Sequence, residues 1–175
     1  MKWMICLKPN QKHMDPKTVT FTSGSHSLII TEPGEYLVEL VEPNTVVEIK
    51  GAFSVKAKEE VAVTIIINHK APHTRANTTL RGVARDQGFL KFTGRIIIEK
   101  DCGDTNSFLT ERVLLLSDQA RAETIPDLEI KTDDVKCSHA ASISRIPEEH
   151  LFYLMSRGLS QLEAETVIIE GFLDV

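Results

Sequence analysis

The sequence predicts a mainly β body followed by a short α-helical tail. Three observations carry that expectation. From about Ser27 to Ser144, short β-prone runs alternate with turn residues, and no stretch of helical periodicity interrupts them. Two of the runs, Val63-Thr64-Ile65-Ile66-Ile67 and Ile96-Ile97-Ile98, are apolar throughout, which suits strands packed on both faces. At Pro147 the style changes to capped, amphipathic segments.

Residues 1–26 contain Trp3, several lysines and little pattern, and are read as an irregular cap over one end of the body. The β-prone runs follow as Ser27–Ile30, Tyr36–Leu40, Val46–Ile49, Phe53–Lys56, Val61–Ile67, Thr78–Val83, Phe89–Ile98, Arg112–Leu116 and Leu128–Lys131. Val, Ile, Thr and Phe fit a pleated, half-buried surface. Between them lie Pro33-Gly34, Pro43-Asn44, Gly51, Gln87-Gly88, Asp101-Cys102-Gly103-Asp104, Ser117-Asp118 and Asp133-Asp134, the residue types that set turn dihedrals. This spacing suits a sandwich, a barrel or a solenoid and does not choose among them. In the tail, Pro147 suits the first helical position, and Glu148 and Glu149 favour the positive end of the helix dipole. Leu151, Phe152, Leu154 and Met155 form an apolar stripe that Gly158 terminates. Ser160 and Glu163 have the spacing of a capping box, opening a second helix with Leu162, Val167, Ile168 and Phe172 on one face.

The 175 residues allow one domain with a small appendage, and 42% hydrophobic content is enough for a core. Lys and Arg number 20 against 25 Asp and Glu, a balance that argues against nucleic-acid binding. The whole net charge of -5 resides in residues 147–175, where Arg157 is the one base among six acids. No apolar run reaches the length of a membrane span, and the N-terminus lacks a signal-peptide core. Three cysteines, Cys6, Cys102 and Cys137, make no disulfide framework and point to the cytoplasm.

Cys137-Ser138-His139 is the triplet with most chemical promise. On a strand over Val135–Ala141, Cys137 and His139 share one face, roughly 7 Å apart, and could share an iron or zinc ion. The plain alternative is a small buried thiol beside a hydrogen-bonded imidazole. His69 and His73 flank Pro72, which argues for a loop and for local hydrogen bonds at a strand end. Glu111 and Glu123 are candidate oxygen ligands, and Cys102 a further thiol. Phosphate-loop, dinucleotide, Cys-x-x-Cys and nucleophile-elbow motifs are all absent, as is the His-x-His of a cupin.

An ordered series of segments resembles the C-terminal core of the SufB/SufD family, the scaffold proteins of Suf iron–sulfur cluster assembly. It runs from His69-Lys70-Ala71-Pro72-His73-Thr74-Arg75 through Arg81-Gly82-Val83, Phe92-Thr93-Gly94-Arg95-Ile96 and Leu114-Leu115-Leu116-Ser117-Asp118. It continues with Pro126-Asp127-Leu128-Glu129-Ile130 and Asp133-Asp134-Val135-Lys136-Cys137-Ser138-His139-Ala140-Ala141. It closes with Leu151-Phe152-Tyr153-Leu154-Met155-Ser156-Arg157-Gly158 and Glu170-Gly171-Phe172-Leu173. The resemblance implies a right-handed parallel β-helix, or β-solenoid, with a small C-terminal α-helical subdomain. The expected divisions are a cap over 1–26, a β-helix core over 27–146 and a helical subdomain over 147–175.

It further implies that the helical subdomain docks SufC, an ABC-type ATPase, through Leu151, Phe152, Met155, Arg157, Val167 and Phe172. Two scaffold subunits of the family meet through their β-helices, near where the cluster forms. The SufD-type cysteine and histidine of that region fall on Cys137 and His139. The sulfur-accepting cysteine of SufB aligns with Glu111, the glutamate directly after the SufB histidine aligns with Ala140, and Leu109 replaces a commonly polar residue. The chain is therefore SufD-like, and short for the family. Pairing with itself or with a second SufB/SufD-like subunit would bring two Cys137/His139 sets together, suiting iron, zinc or an iron–sulfur cluster.

Three functions follow as expectations. The first is a scaffold subunit that binds the ATPase and contributes metal or cluster ligands, without catalysis of its own. The second is a structural or regulatory partner of the ATPase that binds no metal. The third is a metal-dependent enzyme on a β-helix or barrel.

Overall fold

Strict alternation of inward and outward residues builds the body. In Phe89–Ile98 every second side chain, beginning with Leu90 and Phe92, is buried, and the intervening ones are half exposed. The computed structural model describes residues 16–174. Ten strands come first: β1 (Lys17–Phe21), β2 (Gly24–Ile30), β3 (Gly34–Leu40), β4 (Thr45–Val55), β5 (Glu60–His69), β6 (Arg75–Ala84), β7 (Phe89–Ile98), β8 (Thr105–Leu115), β9 (Arg121–Ile130) and β10 (Val135–Ser144). Two helices follow, α1 (Glu148–Ser156) and α2 (Gln161–Leu173).

The odd strands form one sheet, in the order β1-β3-β5-β7-β9, and the even strands another, in the order β10-β8-β6-β4-β2. Every pairing is parallel. The chain thus winds alternately through the two sheets as a parallel β-solenoid of about 4 turns. Gly34 lies opposite Val63, and Glu60 opposite Phe89, so a central coil takes roughly 30 residues, within the range of solenoid repeats. Val38, Ile49, Ile65, Ile67, Leu80, Phe92 and Ile96 fill the space between the sheets. Each such burial contributes about 1.5–3 kcal/mol.

The corners explain the turn residues. Asn44, His73 and Asp104 adopt φ of 62°, 59° and 51°, a region open to short polar side chains. Each is followed by a fully buried threonine, Thr45, Thr74 or Thr105, so corners of successive coils stack.

Four expectations need correction. Gly51 is no turn: β4 runs through it, joining Val46–Ile49 to Phe53–Lys56. It points inward, and a Cβ there would meet Leu80 Cδ2 and Phe53 Cε2 at 2.9 Å, so glycine serves space rather than a turn. The irregular cap over 1–26 gives way to strand from Lys17, because β1 pairs in parallel with β3 and adds to the solenoid. Residues 1–15, with Trp3 and Cys6, lie outside the described residues. Pro147 is the N-cap of α1 rather than its first residue, since its ψ of 133° is extended. The runs Arg112–Leu116 and Leu128–Lys131 mark only the ends of β8 and β9, whose earlier residues include polar ones that alternation still places.

Gly158 ends α1 with φ 98°, and Ser160 and Glu163 form the capping box of α2. Of the two helices only α2 has a buried residue, Ala164, and α2 packs against β6. Arg81 of β6 donates through Nη1 to the carbonyl oxygens of Phe172, at 2.7 Å, and Asp174, at 2.9 Å, and covers the Phe172 ring. Among the described residues no helix is long and apolar enough to cross a membrane.

Candidate functional site

β10 is an end strand of its sheet, paired along its length with β8. Val135, Cys137 and His139 are half buried while Lys136, Ser138 and Ala140 are exposed, so Cys137 and His139 do share the inward face. Cys137 lies opposite Ser107, and His139 opposite Leu109. One inward position further along β8 is Glu111, which is fully buried. Its Oε2 reaches to 3.2 Å from His139 Nε2. The His139 side chain is 4% exposed.

This contact has ion-pair distance but not hydrogen-bond geometry. Both carboxylate oxygens of Glu111 and both ring nitrogens of His139 lack a hydrogen-bond partner among the described residues. Buried polar groups are nearly always paired, and leaving one unpaired costs about 1–3 kcal/mol. A carboxylate and an imidazole with free lone pairs side by side form a hard-to-borderline donor set suited to a divalent metal such as ferrous iron. Among the described residues no three His, Cys, Asp or Glu side chains converge on one metal position. One chain therefore presents a pair beside an open sheet edge, with Cys137 on the same face and burial pushing its thiol pKa up.

Next to Cys137 lies a second polar cluster of opposite character. His69 Nδ1 contacts Thr74 Oγ1 at 2.7 Å, and its Nε2 contacts Ser107 Oγ at 3.0 Å. Thr74 donates to the Ala71 carbonyl at 3.2 Å. Its oxygen therefore accepts from Nδ1–H, and Nε2 accepts the Ser107 proton. Burial lowers the His69 pKa to about 4, which keeps the ring neutral. A hydroxyl on an imidazole is also the beginning of a nucleophilic site. Here both groups are fully buried, and every bond is used internally.

The other candidates are dispersed. His73 sits at an exposed corner 3.0 Å from Asp104, whose carboxyl that hydrogen bond holds below its usual range. Glu123 pairs with Lys91 on the outer face of the odd-strand sheet, at 3.1 Å. Cys102 is buried in the core, with its thiol directed at the Lys100 carbonyl and its pKa raised by burial. On the helices, Phe152, Met155 and Val167 are exposed, as are Tyr153 and Leu162. Leu151 is half buried, Arg157 lies over the Tyr153 ring, and Phe172 is held against the body by Arg81. Sequence reasoning missed Ser107 and named Gly94 only as part of a family-like segment, with no role; their signal is the inward parity of their strands, legible only once the register is known.

The family described as "SUF system FeS cluster assembly, SufBD core domain" matches residues 18–172. The chain belongs to the SufBD family. It is 34% identical over 122 residues to the iron-sulfur cluster assembly protein SufD of Escherichia coli (strain K12), covering 69% of this chain and 29% of that protein. A SufBD family protein of Synechocystis sp. (strain PCC 6803) is 37% identical over 109 residues, 62% of this chain and 24% of the relative. Another, from Staphylococcus saprophyticus, is 29% identical over 166 residues, 90% of this chain and 35% of the relative. The chain thus spans about a quarter to a third of the length of these SufBD relatives. Residues 18–172 thus carry the SufBD core domain, and they fold as a parallel β-solenoid with two C-terminal helices.

Proposed function

We propose that this chain is a SufD-like scaffold subunit that holds iron or a nascent iron–sulfur cluster at the open end of its solenoid. The observation that carries the reading is the buried, unpartnered Glu111–His139 pair on the last two strands of its sheet. Cys137, on the same strand face, is the thiolate ligand, and a second scaffold subunit or a second copy completes the set across the β10 edge. Exposed apolar residues at that end, Ile125, Leu128, Ile130 and Ile143, suit such a contact. The metal is cargo here, and the chain holds it without catalysis of its own.

The helical tail serves as the docking element for a SufC-like ABC-type ATPase in the cytoplasm. Phe152, Met155 and Val167 supply its apolar contact, flanked by Leu151 and Arg157 and braced on the body through Phe172. The acids of residues 147–175 would steer it to a basic surface.

Anaerobic reconstitution with ferrous iron and sulfide, with the ATPase present, tests the ligand assignment. Wild type should retain iron and His139→Ala should not; equal, poor retention by both removes the assignment. The second reading, a partner that regulates the ATPase and binds no metal, is favoured by the lack of three converging ligands among the described residues. ATPase co-purification that is lost on deleting residues 147–175, with no metal by elemental analysis, would support it.

A further inference from the structure

We infer that Gly94 is a positioning residue for the Glu111–His139 pair: its missing side chain is what lets both buried groups occupy the last coils together. Gly94 lies in β7, in the sheet that faces β8 and β10 across the interior. The other inward positions of β7 are large: Leu90, Phe92, Ile96 and Ile98. Gly94 alone is empty, and opposite that gap stand the two groups without hydrogen-bond partners.

A Cβ at position 94 would lie 2.7 Å from Glu111 Oε1 and 2.9 Å from His139 Cε1, and would run into Leu109 Cδ2. Ordinary Cβ contacts do not come that close, so something must move. Leu109 is flexible at its tip. The imidazole is a rigid ring and yields only by turning about its two side-chain torsions, which re-aims its nitrogens relative to Glu111. The need is for space alone, because Gly94 is not among the positive-φ glycines. The comparison with other interior glycines is specific. At Gly51, Gly82 and Gly88 the nearest atoms belong to the apolar side chains of Leu80, Phe53, Leu90, Phe92 and Val55 and to the backbone. Gly94 is the close-packed glycine whose space is used by titratable groups.

The inference rests on the proposed ligand role for one of its two readouts, cobalt binding, and not for the other. Leu109→Val removes the δ carbon that makes the worst collision, so Leu109→Val and Gly94→Ala/Leu109→Val are compared with each other and with wild type. The first readout is the pair of ring-nitrogen resonances of His139 in uniformly ¹⁵N-labelled protein, assigned with His139→Gln. His69 serves as the internal reference, because a general loss of packing would move both rings. The expected result is a displaced His139 ring signal in the double variant, with His69 unchanged. His139 signals that overlay between the two variants overturn the inference.

The second readout is anaerobic titration with cobalt(II), followed by its visible absorption. Binding about tenfold weaker in the double variant than in Leu109→Val is expected, the loss typical of disturbed ligand orientation. Equal affinity in both variants, with the His139 signal unmoved, overturns it. Should neither wild type nor Leu109→Val bind cobalt while the His139 ring still shifts, the ligand assignment fails and the positioning role stands. If the double variant loses the His69 signal and so is unfolded, Gly94→Ala/Leu109→Ala against Leu109→Ala repeats the comparison with more room.

Discussion

Two buried histidines face the same interior, yet they are built to opposite rules. His69 closes β5 with coils on both sides, and both of its nitrogens are used, on Thr74 and Ser107. His139 sits on the end strand β10, beside an equally buried Glu111, and none of the four polar atoms of that pair is hydrogen-bonded among the described residues. A satisfied buried network specifies and stabilises a fold, whereas an unsatisfied one costs stability. The first is a closed structural network, and the second has the open valences that the proposed ligand role requires.

That contrast can be broken most directly by removing each ring. His69→Leu leaves the Ser107 hydroxyl without its partner inside the coil and should cost about 3–4 kcal/mol in urea unfolding. His139→Leu removes no hydrogen bond and, made in a Glu111→Leu background so that no buried carboxylate is left behind, should cost no more than ~1 kcal/mol. Equal losses would erase the distinction.

Acidity sharpens it next. The His69 pKa falls from 6.5 unfolded to about 4 folded. Below about pH 6.5 the unfolded chain takes up a proton that the folded chain refuses, so stability falls as pH drops towards 4. The contribution is fully present above that window, and the loss reaches about 3 kcal/mol at its lower end. His69→Gln should flatten this part of the pH–stability curve, and an unchanged slope would reassign it to other groups.

Glu111→Leu should stabilise the protein by about 1–2 kcal/mol while abolishing iron retention, the trade expected of a functional buried carboxylate. Destabilisation of similar size would mean that Glu111 is structural. The smallest effect belongs to the tail. Phe152→Ala, at a residue 75% exposed, should change stability by less than ~0.5 kcal/mol yet weaken ATPase association. That association should also weaken from low to high salt, given the acidic tail. Binding indifferent to salt would remove the electrostatic part of the docking picture.

Much of the fold was legible because alternation and turn chemistry are local. Phe89–Ile98 was readable end to end from its β-branched and aromatic content, and α2 from Ser160 and Glu163. Gly51 misled, because a glycine that makes room for a neighbouring coil looks in sequence like one that turns the chain. At the site, the shared face of Cys137 and His139 followed from their two-residue spacing. The approach of Glu111 to His139 did not, since the two lie on different strands and meet diagonally, one inward position out of register. The bond from His69 to Ser107 spans 38 residues and depends on the stacking of two adjacent coils, so no local pattern signals it.

The sequence by itself determined the β body, the helical tail, the acidity of that tail, the parity of each strand and, through an ordered series of motifs, the family. Those properties depend on neighbours in the chain. Only the tertiary structure decided which inward residues face one another, because register across coils is set by how about 30 residues wind between equivalent positions. That winding completes the bonds of one histidine and leaves the other, at the open edge, beside a carboxylate and a glycine's empty space.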